Sequence, residues 1–274
     1  MLEFLKAILF GIIEGITEWL PISSTGHMIL LNEFVKLEVS EAFWEMFLVV
    51  IQLGAILAVV LLFWKKIFPI IKRKEKYSLD QNIMRMWYKV VVACIPAAII
   101  GIFFDDILEK YLYNYLTVSI ALIVFGIAFL IIEEKNKNKK MVINTIEEIT
   151  WKTAVIIGIF QLIAAIFPGT SRSGATILGA LLIGVSRTVA AEFTFFLAIP
   201  VMLGASLLKI IKFGFEFSGQ ELGLLLTGMI VAFLVSVFVI KFLMDYIKKH
   251  DFKIFGWYRI ILGALVLLYF GIIA

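Results

Sequence analysis

The chain has 274 residues, 62% of them hydrophobic, and a formal net charge of +4, with a mean hydropathy of +1.03. Soluble domains are about 45–50% apolar, so composition excludes an ordinary soluble domain and points to a polytopic α-helical membrane protein. The charge is no sign of nucleic-acid binding, because the lysines lie in short runs between apolar stretches, as in the cytoplasmic loops of membrane proteins. The single cysteine, Cys94 in "VVVACIPAAII", excludes an internal disulfide and reads as a small buried apolar residue.

In chain order, the first apolar segment is Leu2–Val35, broken at Pro21. It is too long for one crossing of about 20 residues. With a lone Lys6, Glu14 and Glu18 inside it and no small-residue cleavage site, it reads as part of the mature protein and not as a signal peptide. Three runs of crossing length follow, Phe43–Trp64, Trp87–Phe104 and Tyr115–Ile132. A second irregular segment, Trp151–Val185, is broken at Pro168. Ala190–Ile211, Leu222–Leu243 and Phe255–Ile273 complete the chain. Non-helical backbone at membrane depth is tolerated where protein or a cavity surrounds it, so each irregular segment is expected to be a hairpin that enters the bilayer and returns. The expected fold is an all-α polytopic membrane protein, one domain over 1–274, with six transmembrane helices and two re-entrant helix hairpins.

The basic residues set an orientation. Lys65–Lys89 carries eight, Lys135–Lys152 five and Lys241–Arg259 five, and with six spans all three stretches fall on one face, read as cytoplasmic. Glu33, Glu38, Glu41, Asp105, Asp106 and Glu109 then lie on the other face, and both termini lie outside. Lys72–Gln81 reads as a surface loop, Glu133–Lys140 as a solvated connector, Arg187 as a topology anchor and His250 as solvated. Glu45 and Glu192 are left between capping a helix and facing a cavity, and Gln52 is a candidate partner for a re-entrant arm.

The two irregular segments also resemble each other. An offset of 147 residues lays "GIIEGITEWLPISSTG" over "GIFQLIAAIFPGTSRS", matching Gly11 with Gly158, Glu14 with Gln161, Pro21 with Pro168, Ser23 with Thr170, Ser24 with Ser171, and further on Glu45 with Glu192. Three spans separate the copies, so the second is upside down relative to the first. Residues 1–135 and 148–274 form the expected inverted repeats, a transporter-like arrangement that places the site where the repeats meet.

"EGITEWLPISSTGH" supplies the chemistry of the first turn. Glu14 and Glu18 are four apart and share a helix face. Two carboxylates at membrane depth call for relief by a guanidinium or a divalent cation, Mg²⁺ or Ca²⁺ by oxygen ligation; the plain alternative is that one is protonated and hydrogen-bonded to backbone. After Pro21, Ser23 or Ser24 can cap the next helix, leaving N–H groups for an anion, with Thr25 and Gly26 beside them. Ser24 and His27 share a face, a nucleophile near a base, against the simpler readings of a capping serine and a core histidine. In "PGTSRSGAT" a mid-membrane arginine, Arg172, stands among Gly169, Thr170, Ser171, Ser173 and Thr176. Its planar fork suits a phosphate; the structural alternative is a bridge to Glu14 or Glu18 in the resting state, a contact that a substrate phosphate can displace. Together the tips offer what phosphoryl transfer needs, on a lipid substrate if the pocket opens sideways.

These two stretches strongly resemble the motifs of the undecaprenyl-diphosphate phosphatase family, also called bacitracin-resistance proteins. Pro168, Gly169, Ser171, Arg172, Ser173 and Thr176 match its PGxSRSxxT pattern. Glu14 and Glu18 match [E/Q]xxxE, and Pro21–His27 matches PxSSTGH. The resemblance implies a multi-pass bacterial plasma-membrane enzyme that converts the polyprenyl diphosphate lipid to its monophosphate, recycles the carrier for peptidoglycan synthesis and confers bacitracin resistance. It implies a divalent metal, an active site opening to the outer face, and roles for Glu14, Glu18, Ser24, His27, Ser171, Arg172 and Ser173. In the mechanism expected here, Arg172, the turn hydroxyls and backbone N–H groups hold the diphosphate, Glu18 with Glu14 holds the metal, and Ser24 attacks with His27 as base; in a variant His27 itself attacks. Membrane lipid is the surrounding partner, and a homodimer stays open. Acid-phosphatase-like lipid phosphatases are excluded, because no histidine follows Arg172 in "SGATILGALLIGVSR". The competing class is a secondary transporter or lipid flippase, motivated by the repeat alone.

Overall fold

A computed structural model describes residues 1–73 and 76–273, apart from the side chains of 72, 73, 76, 105, 106, 109 and 273. The acidic side chains of Asp105, Asp106 and Glu109, expected on the face away from the lysines, therefore lie outside the described set. The chain folds as α1 (Leu2–Thr17), α2 (Ser24–Phe34), α3 (Glu41–Val50), α4 (Gln52–Ile67), β1 (Ile70–Arg73), β2 (Lys76–Leu79), α5 (Gln81–Leu112), α6 (Tyr115–Asn136), α7 (Trp151–Ile166), α8 (Arg172–Leu182), α9 (Arg187–Phe213), α10 (Gly219–Ile247) and α11 (Lys253–Leu268), with a final π-helical turn. Among the described residues, six helical stretches are long and apolar enough to cross a membrane: Glu41–Ile67, Gln81–Phe104, Tyr115–Asn136, Arg187–Phe213, Gly219–Ile247 and Lys253–Ile272. Each contains or overlaps a run expected from hydropathy. The protein is thus a mainly helical, polytopic membrane protein.

The linker between α4 and α5 departs from expectation. It pairs as an antiparallel hairpin, Ile70 opposite Leu79 and Lys72 opposite Tyr77. Alternation of polar and apolar residues over "KYSL" is the one strand signal; "IIKR" does not alternate, and its basic residues make the segment look like a plain loop.

The two irregular segments are helix–turn–helix units of equal dimensions. α1 and α7 each have 16 residues, and α2 and α8 each have 11. α1 packs on α10 and α7 on α5, in each case through a glycine at the contact. A Cβ at Gly11 would lie 2.6 Å from the Gly228 carbonyl oxygen, and one at Gly158 would lie 2.5 Å from that of Ala93. Small residues let membrane helices approach this closely. Gly158→Ala is expected to destabilise the protein by about 1–3 kcal/mol, the usual cost of overpacking, read as a lower unfolding temperature in detergent.

Glu133, read as part of a solvated connector, turns out to be buried, and the half-buried Arg187 pairs with it. Glu133 is 1% exposed. It accepts three bonds from Arg187, two from Nε at 2.9 and 3.2 Å and one from Nη2, and one from the Phe252 N–H at 3.0 Å, so it joins α6, α9 and the start of α11. Asn136, also buried, donates to the Leu181 carbonyl at 2.9 Å. The connector therefore begins after α6, because Glu133 and Asn136 still belong to its last turns. His250 is exposed as expected and stacks on Tyr246 with ring centroids 4.4 Å apart.

Candidate active site

The turn 18–23 between α1 and α2 and the turn 167–171 between α7 and α8 touch. Ser173 donates from Oγ to the Glu18 carbonyl at 3.1 Å and sits 3.5 Å from that of Leu20. Arg172 donates from Nη2 to Glu18 Oε1 at 2.8 Å and from Nη1 to the Thr194 carbonyl at 3.2 Å. Ser24 Oγ donates to the other Glu18 oxygen, Oε2, at 2.8 Å. One carboxylate thus joins the guanidinium of the second turn to the hydroxyl of the first. Both partners of the ion pair are largely buried, so loss of either leaves a charge without compensation.

Local sequence explains how the turns present these groups. Pro21 and Pro168 cannot continue a helix, and a serine then caps the next one: Ser23 Oγ accepts from the Gly26 N–H, and Ser171 Oγ from that of Gly174. Both serines have positive φ, 75° and 67°, the only non-glycine residues so described. The caps pair Ser23 with Ser171, one position off the 147-residue offset, because the second turn holds one more residue after its proline. Among the described residues, the N–H groups of Ser23, Ser24 and Thr25 in one turn and of Ser171, Arg172 and Ser173 in the other meet no acceptor. Converging helix N-termini of this kind attract anions.

A cavity of about 140 Å³ lies between the turns, lined by Glu18, Ser24, Thr25, Gly169, Ser171 and Arg172, with Gln52, Tyr113 and Met202 among the remaining walls. The other predicted residues lie behind this surface. Ser23 is a buried cap, Gly26 packs its α-carbon toward Leu122, and Thr170 is fully buried. Thr176 bonds the Arg172 and Ser173 carbonyls and the Thr194 hydroxyl. Ser173 ties the turns together. These residues shape the turns, and their side chains do not face the cavity. Gln52 lines the cavity, its amide reaching only the Leu48 carbonyl of the preceding turn, at 3.5 Å.

His27 is held differently from the expected serine–histidine contact. Its Nδ1 lies 2.7 Å from the Ser23 carbonyl and its Nε2 2.7 Å from the Tyr258 hydroxyl. A carbonyl only accepts, so Nδ1 carries the proton and Nε2 accepts from Tyr258. Ser24 meanwhile is bonded to Glu18.

Glu14 is 1% exposed. Its carboxyl lies against that of Glu18 and within electrostatic reach of Arg172, and its Oε1 has no hydrogen-bond partner. An orphaned carboxylate oxygen beside a second carboxylate is an oxygen-only donor set that suits a hard divalent cation. Among the described residues no group of three or more His, Cys, Asp or Glu is gathered, so water or substrate oxygens would have to complete the coordination of a cation held by this pair. Glu45 and Glu192 stand apart, paired with Lys209 and Lys66 respectively. Cys94 is buried, with Sγ 3.9 Å from the Leu197 carbonyl.

One residue of the site is invisible in the motifs. Arg259, counted in the sequence with the basic loop after Lys241, is fully buried in α11. It donates from Nη1 to the Pro21 carbonyl at 3.3 Å, and from Nη2 to the carbonyls of Gly169 at 3.1 Å and Thr170 at 2.6 Å. Its guanidinium also sits 5.8 Å from the Phe125 ring centroid. It thus grips both turns from behind. The available signal was a lone arginine followed by "IILGALVLLYFG", inside an apolar run and not before it. A larger cavity of about 600 Å³, lined by Lys65, Lys66, Arg85 and Lys89 among others, holds no motif residue.

With this geometry in view, comparison with known proteins is direct. The model of the family described as bacitracin resistance protein BacA matches residues 7–265. The chain belongs to this family. A protein of Desulfitobacterium hafniense named undecaprenyl-diphosphatase is 67% identical over 271 residues, covering 99% of this chain and 97% of that one. Undecaprenyl-diphosphatase 1 of Clostridium acetobutylicum is 65% identical over 272 residues, 99% of each chain. An undecaprenyl-diphosphatase of Enterococcus faecalis is 61% identical over 268 residues, 97% of each. The BacA match begins within α1 and ends within α11, so it includes both turns and Arg259.

Proposed function

We propose that this member of the BacA family hydrolyses undecaprenyl diphosphate to undecaprenyl phosphate and inorganic phosphate in the bacterial plasma membrane. That activity would recycle the lipid carrier for cell-wall synthesis and confer resistance to bacitracin. The observation that carries this reading is the Arg172–Glu18–Ser24 chain at the meeting of the two turns, in a chain 67% identical to a named undecaprenyl-diphosphatase. Arg172 and the unpaired N–H groups of both turns bind the diphosphate oxygens. Glu14 and Glu18 would hold a Mg²⁺ or Ca²⁺ ion, which when bound neutralises phosphate charge.

Ser24 Oγ is the nucleophile best placed by its hydrogen bond. Its proton passes to Glu18 as the bond to the terminal phosphorus forms and the anhydride P–O bond breaks. Undecaprenyl phosphate leaves as an anion that needs no proton. Water then attacks the phosphoserine, Glu18 returns its proton to Ser24 Oγ, and inorganic phosphate departs. His27, oriented by Ser23 and Tyr258, supports the first turn; in the alternative it attacks through Nε2, which must first release Tyr258.

We read the two helix–turn–helix units as re-entrant hairpins of an inverted repeat, 1–135 and 148–274. The matched glycines, equal helix lengths and paired serine caps support this, with three spans between the units. The cavity is read as opening to the outer face, since Tyr113 in its wall belongs to the α5–α6 turn, away from the lysine-rich segments, with both termini outside. Purified protein in detergent, where no gradient exists, is expected to release phosphate from undecaprenyl diphosphate, to lose this activity with a chelator and to regain it with Mg²⁺ or Ca²⁺. Phosphate release that never occurs in detergent would favour the transporter reading; a phosphorylated His27 in trapped protein would replace Ser24 as nucleophile.

A further inference from the structure

Arg259 poses a problem that packing alone does not solve. It is 0% exposed, and among the described residues no carboxylate pairs with it. A buried guanidinium satisfied only by neutral carbonyls keeps its charge without compensation, and such a charge is costly unless something anionic comes near. Its Nε is without a partner as well. The protein also makes room for it, since a Cβ at Gly174 would lie 2.6 Å from Arg259 Nη1.

Its shortest bond, 2.6 Å, goes to the Thr170 carbonyl. The Thr170–Ser171 peptide is trans, so its C=O and N–H point to opposite sides. Turning the carbonyl to Arg259 turns the Ser171 N–H away from it, and Ser171 lines the cavity. The same peptide orientation is tied to the positive φ of Ser171, a conformation a serine keeps only when its surroundings enforce it. Arg259, with a second bond to the Gly169 carbonyl, is the enforcing group from the side opposite the cavity. Its other amino group reaches Pro21 in the first turn. Only a planar fork serves both turns at once.

We propose that Arg259 is a positioning residue for the anion: it latches the Thr170–Ser171 peptide with its N–H toward bound phosphate and holds the two turns in register. Its own uncompensated charge adds a long-range attraction for the diphosphate. The inference rests on the hydrolase reading above and assigns that site its second guanidinium.

The test is binding of inorganic pyrophosphate to the purified full-length protein, alongside turnover of undecaprenyl diphosphate. In Arg259→Met the Kd for pyrophosphate is expected to rise roughly ten- to a hundredfold, the size of a lost hydrogen bond to a charged group. KM should rise similarly, with a smaller change in kcat and an unfolding temperature equal to or above wild type, because an unpaired buried charge has been removed. Should Arg259→Met not fold, Arg259→Lys, whose ammonium reaches one turn but not both, is expected to give an intermediate Kd. A folded Arg259→Met, or in its place Arg259→Lys, that binds pyrophosphate as tightly as wild type overturns the proposal. A lower unfolding temperature with unchanged Kd and KM identifies a structural staple and overturns it too. Wild-type protein that neither binds pyrophosphate nor releases phosphate instead removes the hydrolase reading, and this inference with it.

Discussion

Arg172→Ala is expected to lower kcat/KM for undecaprenyl diphosphate by roughly 10²–10³, the loss that follows removal of one preorganised charge-stabilising donor. Among the described residues, the guanidinium is the single cationic side chain lining the cavity between the turns, and it is oriented before substrate arrives by the Thr194 carbonyl and Glu18 Oε1. A phosphate oxygen can replace the Glu18 contact while the Thr194 bond keeps the fork aimed. Arg172→Lys retains the charge but not the two-sided reach, so most of the loss should persist. Phosphate release under saturating and limiting substrate, with an unfolding temperature recorded for each variant, makes the measurement. A loss of only a few fold in folded protein would remove Arg172 from the role assigned to it.

Glu18 carries the second large effect. Its carboxylate accepts from Arg172 and Ser24, and its backbone carbonyl accepts from Ser173, so three elements of the site meet on one residue. In Glu18→Gln the shape and the acceptor for Arg172 survive, but the group no longer takes a proton from Ser24. The expected result is a fall in kcat of about 10²–10⁴, the range of general-base catalysis, in a protein that still folds. Glu18→Ala goes further, because it strands Arg172 in a buried site; breaking such a pair costs about 3–5 kcal/mol, so this variant should also unfold at a clearly lower temperature. Comparing the two separates proton transfer from ion pairing. Full activity in Glu18→Gln would return the role of base to His27.

The spans were readable because transfer into hydrocarbon is decided residue by residue and sums over a window. Phe43–Trp64 and Glu41–Ile67, or Leu222–Leu243 and Gly219–Ile247, differ only by end turns that polar residues cap. The turns were readable for a related reason: Pro21 and Pro168 interrupt helices where hydrophobicity gives no cause to stop, and the serines after them are capping residues. Charge was the less dependable guide. Glu133 and Arg259 looked like members of solvated clusters, yet both are buried, and the half-buried Arg187 reaches in to pair with Glu133. Composition shows that a charge is present; only its neighbours show whether it faces water.

The sequence by itself determined the membrane class, the six crossing segments and the two interrupted helices with the polar motifs at their turns, since each depends on local hydrophobicity, chain stiffness or side-chain type. Tertiary structure decided which groups meet: Ser24 on Glu18 and not on His27, His27 on Tyr258, Glu14 behind the cavity, and Arg259 across both turns. Those contacts join residues far apart in the chain. Their distances follow from how α1, α7 and α11 pack, and no local pattern encodes such packing.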